Sequence, residues 1–140
     1  MARRCFARAM PMLLLASLAG CQSKSTEPTI LQSRAQPYVI DVPVPAEFEL
    51  DSRRSTHDQS PGKRQVRHFY MGDDEPLAVK NFYRQKMQEA GWELLDEQLK
   101  NGVFFLNYRS PEEKCEVRIE EVPDGMGSQT QVCVEIQRRY

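Results

Sequence analysis

Residues 73–109 read DDEPLAVKNFYRQKMQEAGWELLDEQLKNGVFFLNYR, and this stretch decides the fold. Asp73, Asp74 and Glu75 put negative charge where a helix dipole favours it, and Pro76 suits a first helical turn, whose N–H has no partner. Val79, Phe82, Tyr83, Met87 and Ala90 then recur at spacings of three and four, one apolar stripe on a helix whose other faces carry Lys80, Arg84, Gln85, Gln88 and Glu89. Gly91 stops it, and Trp92 can fold back onto the last turn. The period then changes. Trp92–Leu99 and Val103–Arg109 flank Asn101-Gly102, a strong hairpin signal because both positions tolerate positive φ.

Working outward, the chain alternates. Phe48 to Ser55 and Arg64 to Met71 read as strands before the helix, separated by a turn-rich loop from His57 to Lys63. Val66, His68 and Tyr70 share one face and Arg67, Phe69 and Met71 the other, and the pattern does not say which is buried. Lys114–Val122 and Thr130–Gln137 follow the hairpin, with Cys115, Val117, Ile119 and Val132, Val134, Ile136 inward and residues 123–128 as a loop. The expected order is ββ-α-ββββ. The expected fold class is α+β, a two-layer sandwich of one amphipathic helix on a mainly antiparallel sheet. Phe82, Tyr83, Met87, Trp92 and Leu94 are the expected core.

Ahead of this domain, Tyr38-Val39-Ile40-Asp41-Val42-Pro43-Val44-Pro45 cannot be a central strand, because alternate prolines remove ladder donors. An extended arm over 38–47 is expected. Residues 22–36 are polar without regular period and read as a flexible tether. The predicted organisation is 1–20 signal, 21–37 lipidated cysteine and tether, 38–47 arm and 48–140 a single domain.

Leu18-Ala19-Gly20-Cys21 resembles the lipobox of bacterial lipoproteins. It closes an apolar run from Met10 to Ala19 that follows Arg3, Arg4 and Arg8, the charged and apolar parts of an export signal. The run is too short to span a bilayer. The resemblance implies cleavage before Cys21, acylation of Cys21 and an extracytoplasmic, membrane-anchored protein. Gln22 rather than Asp after the cysteine favours the periplasmic face of the outer membrane in a Gram-negative envelope. Arg3-Arg4-Cys5-Phe6-Ala7-Arg8 is also similar to a twin-arginine motif, which leaves the export route open. Separately, Phe82-Tyr83, Met87 and Gly91-Trp92 resemble a recurring bacterial extracytoplasmic module of FY-x3-M-x3-GW type, often carried by lipoproteins. That resemblance implies a fold and an envelope location, and it transfers no catalytic residues.

Removing residues 1–20 changes 19 basic and 20 acidic residues to 16 and 20, a net charge of −4. Charges of both signs are interspersed without a basic block, which disfavours nucleic acid and electrostatic attachment to anionic lipid. Cys115 and Cys133 remain once Cys5 and Cys21 are accounted for. In an oxidising envelope they are a candidate disulfide, although their parity places them on opposite faces. Two cysteines without CxxC spacing and two histidines do not make a metal site. No catalytic constellation stands out: His57 and His68 lack a triad, and no nucleophile or cofactor motif is present. The expected function is a non-catalytic envelope lipoprotein binding another envelope protein, with Phe69, Val103 and Phe105 as the candidate partner surface. A module for a lipid, peptide or cell-wall fragment, held between helix and sheet, is the alternative.

Overall fold

The computed structural model describes residues 29–139. The expected signal segment, Cys21 and the first part of the expected tether lie outside them, as does Tyr140. Among the described residues the elements are β1 (Glu49–Leu50), β2 (Thr56–Asp58), β3 (Gln65–Gly72), α1 (Pro76–Glu89), β4 (Glu93–Lys100), β5 (Val103–Arg109), β6 (Glu113–Asp124) and β7 (Gly127–Arg138). All strand pairs are antiparallel, in the order β1-β3-β7-β6-β5-β4, with β2 also pairing β3. This is an α+β helix-on-sheet fold with three strands before the helix rather than two. The expected strand from Phe48 to Ser55 is split, because the Asp51 carbonyl accepts the N–H groups of Arg54 (3.3 Å) and Ser55 (3.1 Å) and turns the chain. β2 then takes up part of the expected loop.

The local signals act as their chemistry requires. Gly91 has φ +93°, and the N–H groups of Gly91 and Trp92 donate to the carbonyls of Gln88 (3.0 Å) and Met87 (2.9 Å), closing the helix. Asn101 and Gly102 both have positive φ, so the β4–β5 turn is of the primed kind. The helix start differs in detail. The acids all precede the first turn, and Glu75 makes no side-chain cap. Instead Asp73 accepts from Gln129 Nε2 (3.0 Å) and the Asp74 carbonyl accepts from the Thr130 hydroxyl (2.5 Å), which pins the helix start to β7.

The expected 123–128 loop is also corrected. β6 and β7 pair through Pro123↔Ser128 and Asp124↔Gly127, leaving Gly125-Met126 as the turn. Pro123 is tolerated because β5 pairs with β6 only as far as Ile119, so no neighbour asks for its missing donor. In β4 a register shift between Leu94 and Asp96 moves Glu97 to the helix side of the edge, where Lys80 (3.0 Å) and Arg84 (3.4 Å) meet it.

The core lies between the sheet and two covers. The stripe of α1 covers β4, β5 and β6. The rest is closed by the arm, whose Val39, Val42 and Val44 are buried and whose Tyr38 ring lies 5.7 Å from that of Tyr70 on β3. Trp92 Nε1 donates to the Asp41 carbonyl (2.9 Å), and the Asp41 carboxylate pairs with Arg64. The tether expectation is corrected at its distal end. Arg34 N–H donates to the Val44 carbonyl (2.8 Å), Ala46 N–H to the Gln32 carbonyl (2.9 Å), and Leu31 packs on the core. One 14-residue helix cannot cover a sheet this wide, so small apolar residues of the N-terminal segment do the remainder.

Candidate functional site on the uncovered sheet face

Helix and arm both occupy the face that carries Val66, Tyr70, Val117 and Val132. The opposite face carries no described element. Register sets Phe69, Cys133, Arg118, Phe105 and Gln98 directly across from one another on β3, β7, β6, β5 and β4. At ~4.8 Å per strand, Phe69 and Phe105 are about 14 Å apart. The expected surface residues Phe69, Val103 and Phe105 are all half-buried on this face, and none lies beneath the arm. They do not form one aromatic patch, since Cys133 and Arg118 separate Phe69 from the other two.

What covers this row is arginine. The Arg54 guanidinium sits 4.5 Å above the Phe69 ring, held by Asp51 (2.7 Å) and the side-chain Oε1 of Gln131 (2.6 Å), while Gln131 Nε2 donates to Glu120 (2.7 Å). Arg118 pairs with Glu116 (3.3 Å) and donates to Cys133 Sγ (3.3 Å). Arg67 faces Glu135 at 3.5 Å. A depression of about 430 Å³ lies beside the row, lined by Leu95, Asp96, Asn107, Lys114, Glu116 and Glu135 among others. One aromatic ring under a guanidinium, Phe69 beneath Arg54, with paired charges around it combines residue types that are enriched at interface cores. Arg54 and Gln131 escaped the sequence reading. The parity of Gln131 with Cys133 could have found one of them, whereas nothing marks Arg54.

The other candidates separate. Cys115 and Cys133 are free thiols on opposite faces, so the candidate disulfide is corrected for the reason its parity gave. Burial pushes the Cys115 thiol up, away from thiolate chemistry. His68 pairs with Val134 on β7, which in turn faces Val117 on β6, so it stands two strands and one row from Cys115. His68 Nδ1 lies 2.9 Å from the Tyr70 hydroxyl, and burial, then the neighbouring His57, holds its pKa below the ordinary 6.5. The unfolded chain therefore binds a proton more readily than the folded one, and stability is full above pH 6.5 and falls as pH drops from there through the lower folded value. Urea midpoints measured from pH 7.5 to pH 5 should fall, and His68→Gln should flatten that slope.

The helix–sheet interior is filled by Tyr70, Tyr83, Met87, Leu106 and Tyr108, each within 1% of complete burial, and by their neighbours. The hydroxyls of Tyr83 and Tyr108 have no hydrogen-bond partner among the described residues, and burial keeps both pKa values far above the usual phenol range. Since an unsatisfied buried polar group costs ~1–3 kcal/mol, Tyr83→Phe is expected to leave stability unchanged or raise it by about 1 kcal/mol in chemical denaturation. Among the described residues no His, Cys, Asp or Glu group is arranged to hold a metal, and no helix is long and apolar enough to cross a membrane.

Residues 52–131, more than half of the chain, match the START domain-like family. The chain belongs to the START domain-like family. The match runs from the turn after β1 into β7, and it contains the Phe82–Trp92 helix motif and most of the Phe69–Phe105 row. No curated protein and no solved structure matches the sequence. The N-terminal arm that completes the core of this START domain-like unit lies outside the matched residues.

Proposed function

We propose that the protein is a lipid-anchored envelope lipoprotein, acylated at Cys21, whose START domain-like unit binds another envelope protein through the uncovered sheet face. One observation carries the reading: the row Phe69–Cys133–Arg118–Phe105 lies on a broad face that neither helix nor arm covers. The partner it fits presents a flat polypeptide surface with aliphatic groups for the rings and mixed charge for Arg67, Glu116, Arg118 and Glu135. No cofactor enters this reading, and the anchor supplies the membrane contact, a covalent lipid being able to hold a small domain there when more than one chain is attached.

The test is a mild-detergent pull-down from crosslinked membranes, comparing the wild-type chain with Phe69→Ala and Arg118→Ala/Phe105→Ala variants whose melting curves match it. Loss of a stoichiometric partner from the variants alone supports the interface. Retention by all of them contradicts it. A Cys21→Ser chain should leave the membrane fraction.

Family membership favours a second reading, because START-like domains typically bind ligands rather than catalyse. A lipid, peptide or cell-wall fragment would have to displace Tyr83 and Tyr108 from the filled interior or use the surface depression. Thermal-shift screening of such ligands distinguishes the two, since a ligand that binds only the folded chain raises the melting temperature with the logarithm of its concentration above Kd.

A further inference from the structure

The end of the sheet where β3 begins and β7 ends gathers positive charge that composition concealed. Lys63 and Arg64 lead into β3, Lys114 begins β6 beside Gln137, and Arg138 and Arg139 close β7. Together with Gln65 and Gln137 they line a depression of about 470 Å³, and among the described residues no carboxylate contributes to its lining. Two of the cations are committed elsewhere. Arg64 is held by Asp41 and Glu113, and Arg138 by the Gly62 carbonyl and Glu112. Lys63, Lys114 and Arg139 have no salt bridge among the described residues, and the Arg139 side chain makes only a 3.4 Å bond to the Ser110 carbonyl.

We infer that this depression binds a phosphate-bearing ligand, with Lys63, Lys114 and Arg139 as its cationic contacts and the Gln65 and Gln137 amides as neutral donors. A phosphate monoester carries nearly two charges and three acceptor oxygens, which cations arriving from three separate segments can share. A carboxylate is satisfied by a single guanidinium fork. The volume leaves room for an ester substituent beyond the phosphate itself. Position adds a constraint on the source. The described chain comes in at the far end of the sheet, where Arg34 bonds near Val44 and Phe48 packs on Gly72, the last residue of β3. β3 has eight residues, so the depression lies about 25 Å from that point. It can therefore meet a soluble phosphate ester directly, whereas a lipid headgroup requires the domain to tip over.

The experiment uses the full chain carrying Cys21→Ser, with amide NMR shifts followed during titration with glycerol 1-phosphate. A parallel flotation assay uses vesicles of phosphatidylcholine containing one quarter phosphatidic acid, itself a phosphate monoester, against pure phosphatidylcholine. The expected result is saturable shifts at residues 63–65, 114 and 137–139, weakened about tenfold in Lys63→Gln/Lys114→Gln and reduced by salt. Shifts without flotation assign a soluble ester, and flotation with the anionic vesicles that the double variant loses assigns a headgroup. No saturable shift and no flotation overturns the site. Shifts at these residues that depend on protein concentration without added phosphate overturn it as well, because a second copy of the chain is then the occupant.

Discussion

Removing residues 29–47 should abolish the cooperative unfolding transition. The segment contributes Val39, Val42 and Val44, all essentially buried, together with Leu31 packed beside them. Burying a valine side chain contributes roughly 1.5–3 kcal/mol, so the three valines alone are worth on the order of 5 kcal/mol. Total stability of a domain this size is about 5–15 kcal/mol. The deletion also strips Trp92 Nε1 of its acceptor and leaves Arg64 without Asp41 in a half-buried site. It uncovers the apolar side of β3 as well. Circular dichroism should retain strand signal but show a broad, non-cooperative melt, and a hydrophobic dye should bind. A sharp transition near that of the intact chain would mean that the arm is a dispensable cover.

Gly72→Ala is the second large effect. Phe48 lies flat on Gly72, fully buried, and a Cβ built there would be 2.7 Å from Phe48 Cγ and closer still to Cδ2 and Cε2. The ring cannot swing out without exposing itself, and it follows directly on the arm that closes the core. Overpacking of this kind costs about 3 kcal/mol, which lowers the melting temperature by about 10 °C in a domain of this length. The Gly72→Ala/Phe48→Leu double variant should recover part of the loss, because the flat ring is the clashing group. An alanine variant that melts with the wild type would show that β3 and the arm are not locked together at this point.

How much of this was legible in the chain follows from the range over which each signal acts. The helix from Pro76 to Glu89, its stop at Gly91 and the Asn101-Gly102 turn are written in adjacent residues, and the structure places them there. Strand parity grouped Val103 with Phe105, and Phe69 with Arg67 and Met71, but in β3 it left the buried face open, because both faces there mix apolar and polar residues. Proline positions in the arm showed that it was no central strand but not which face it covered, because covering is decided by the width of sheet left bare by one helix. The Pro123 loop was misread because a proline is excluded only where a neighbour needs its N–H, and that depends on where β5 ends. The basic depression was invisible for the same kind of reason. Its cations come from residues 63, 64, 114, 138 and 139, and only the β3–β7–β6 register brings them together.

The most direct test of the central claim is photo-crosslinking in the native envelope, with a photoreactive residue at Glu116 or Gln98 on the uncovered face and, as the comparison, at Gln88 on the exposed side of α1. The account predicts one discrete crosslinked protein from the sheet positions and none from the helix. Crosslinks from Gln88 alone, or none from Glu116 and Gln98 in membranes where the chain is present, would contradict recognition by the sheet face.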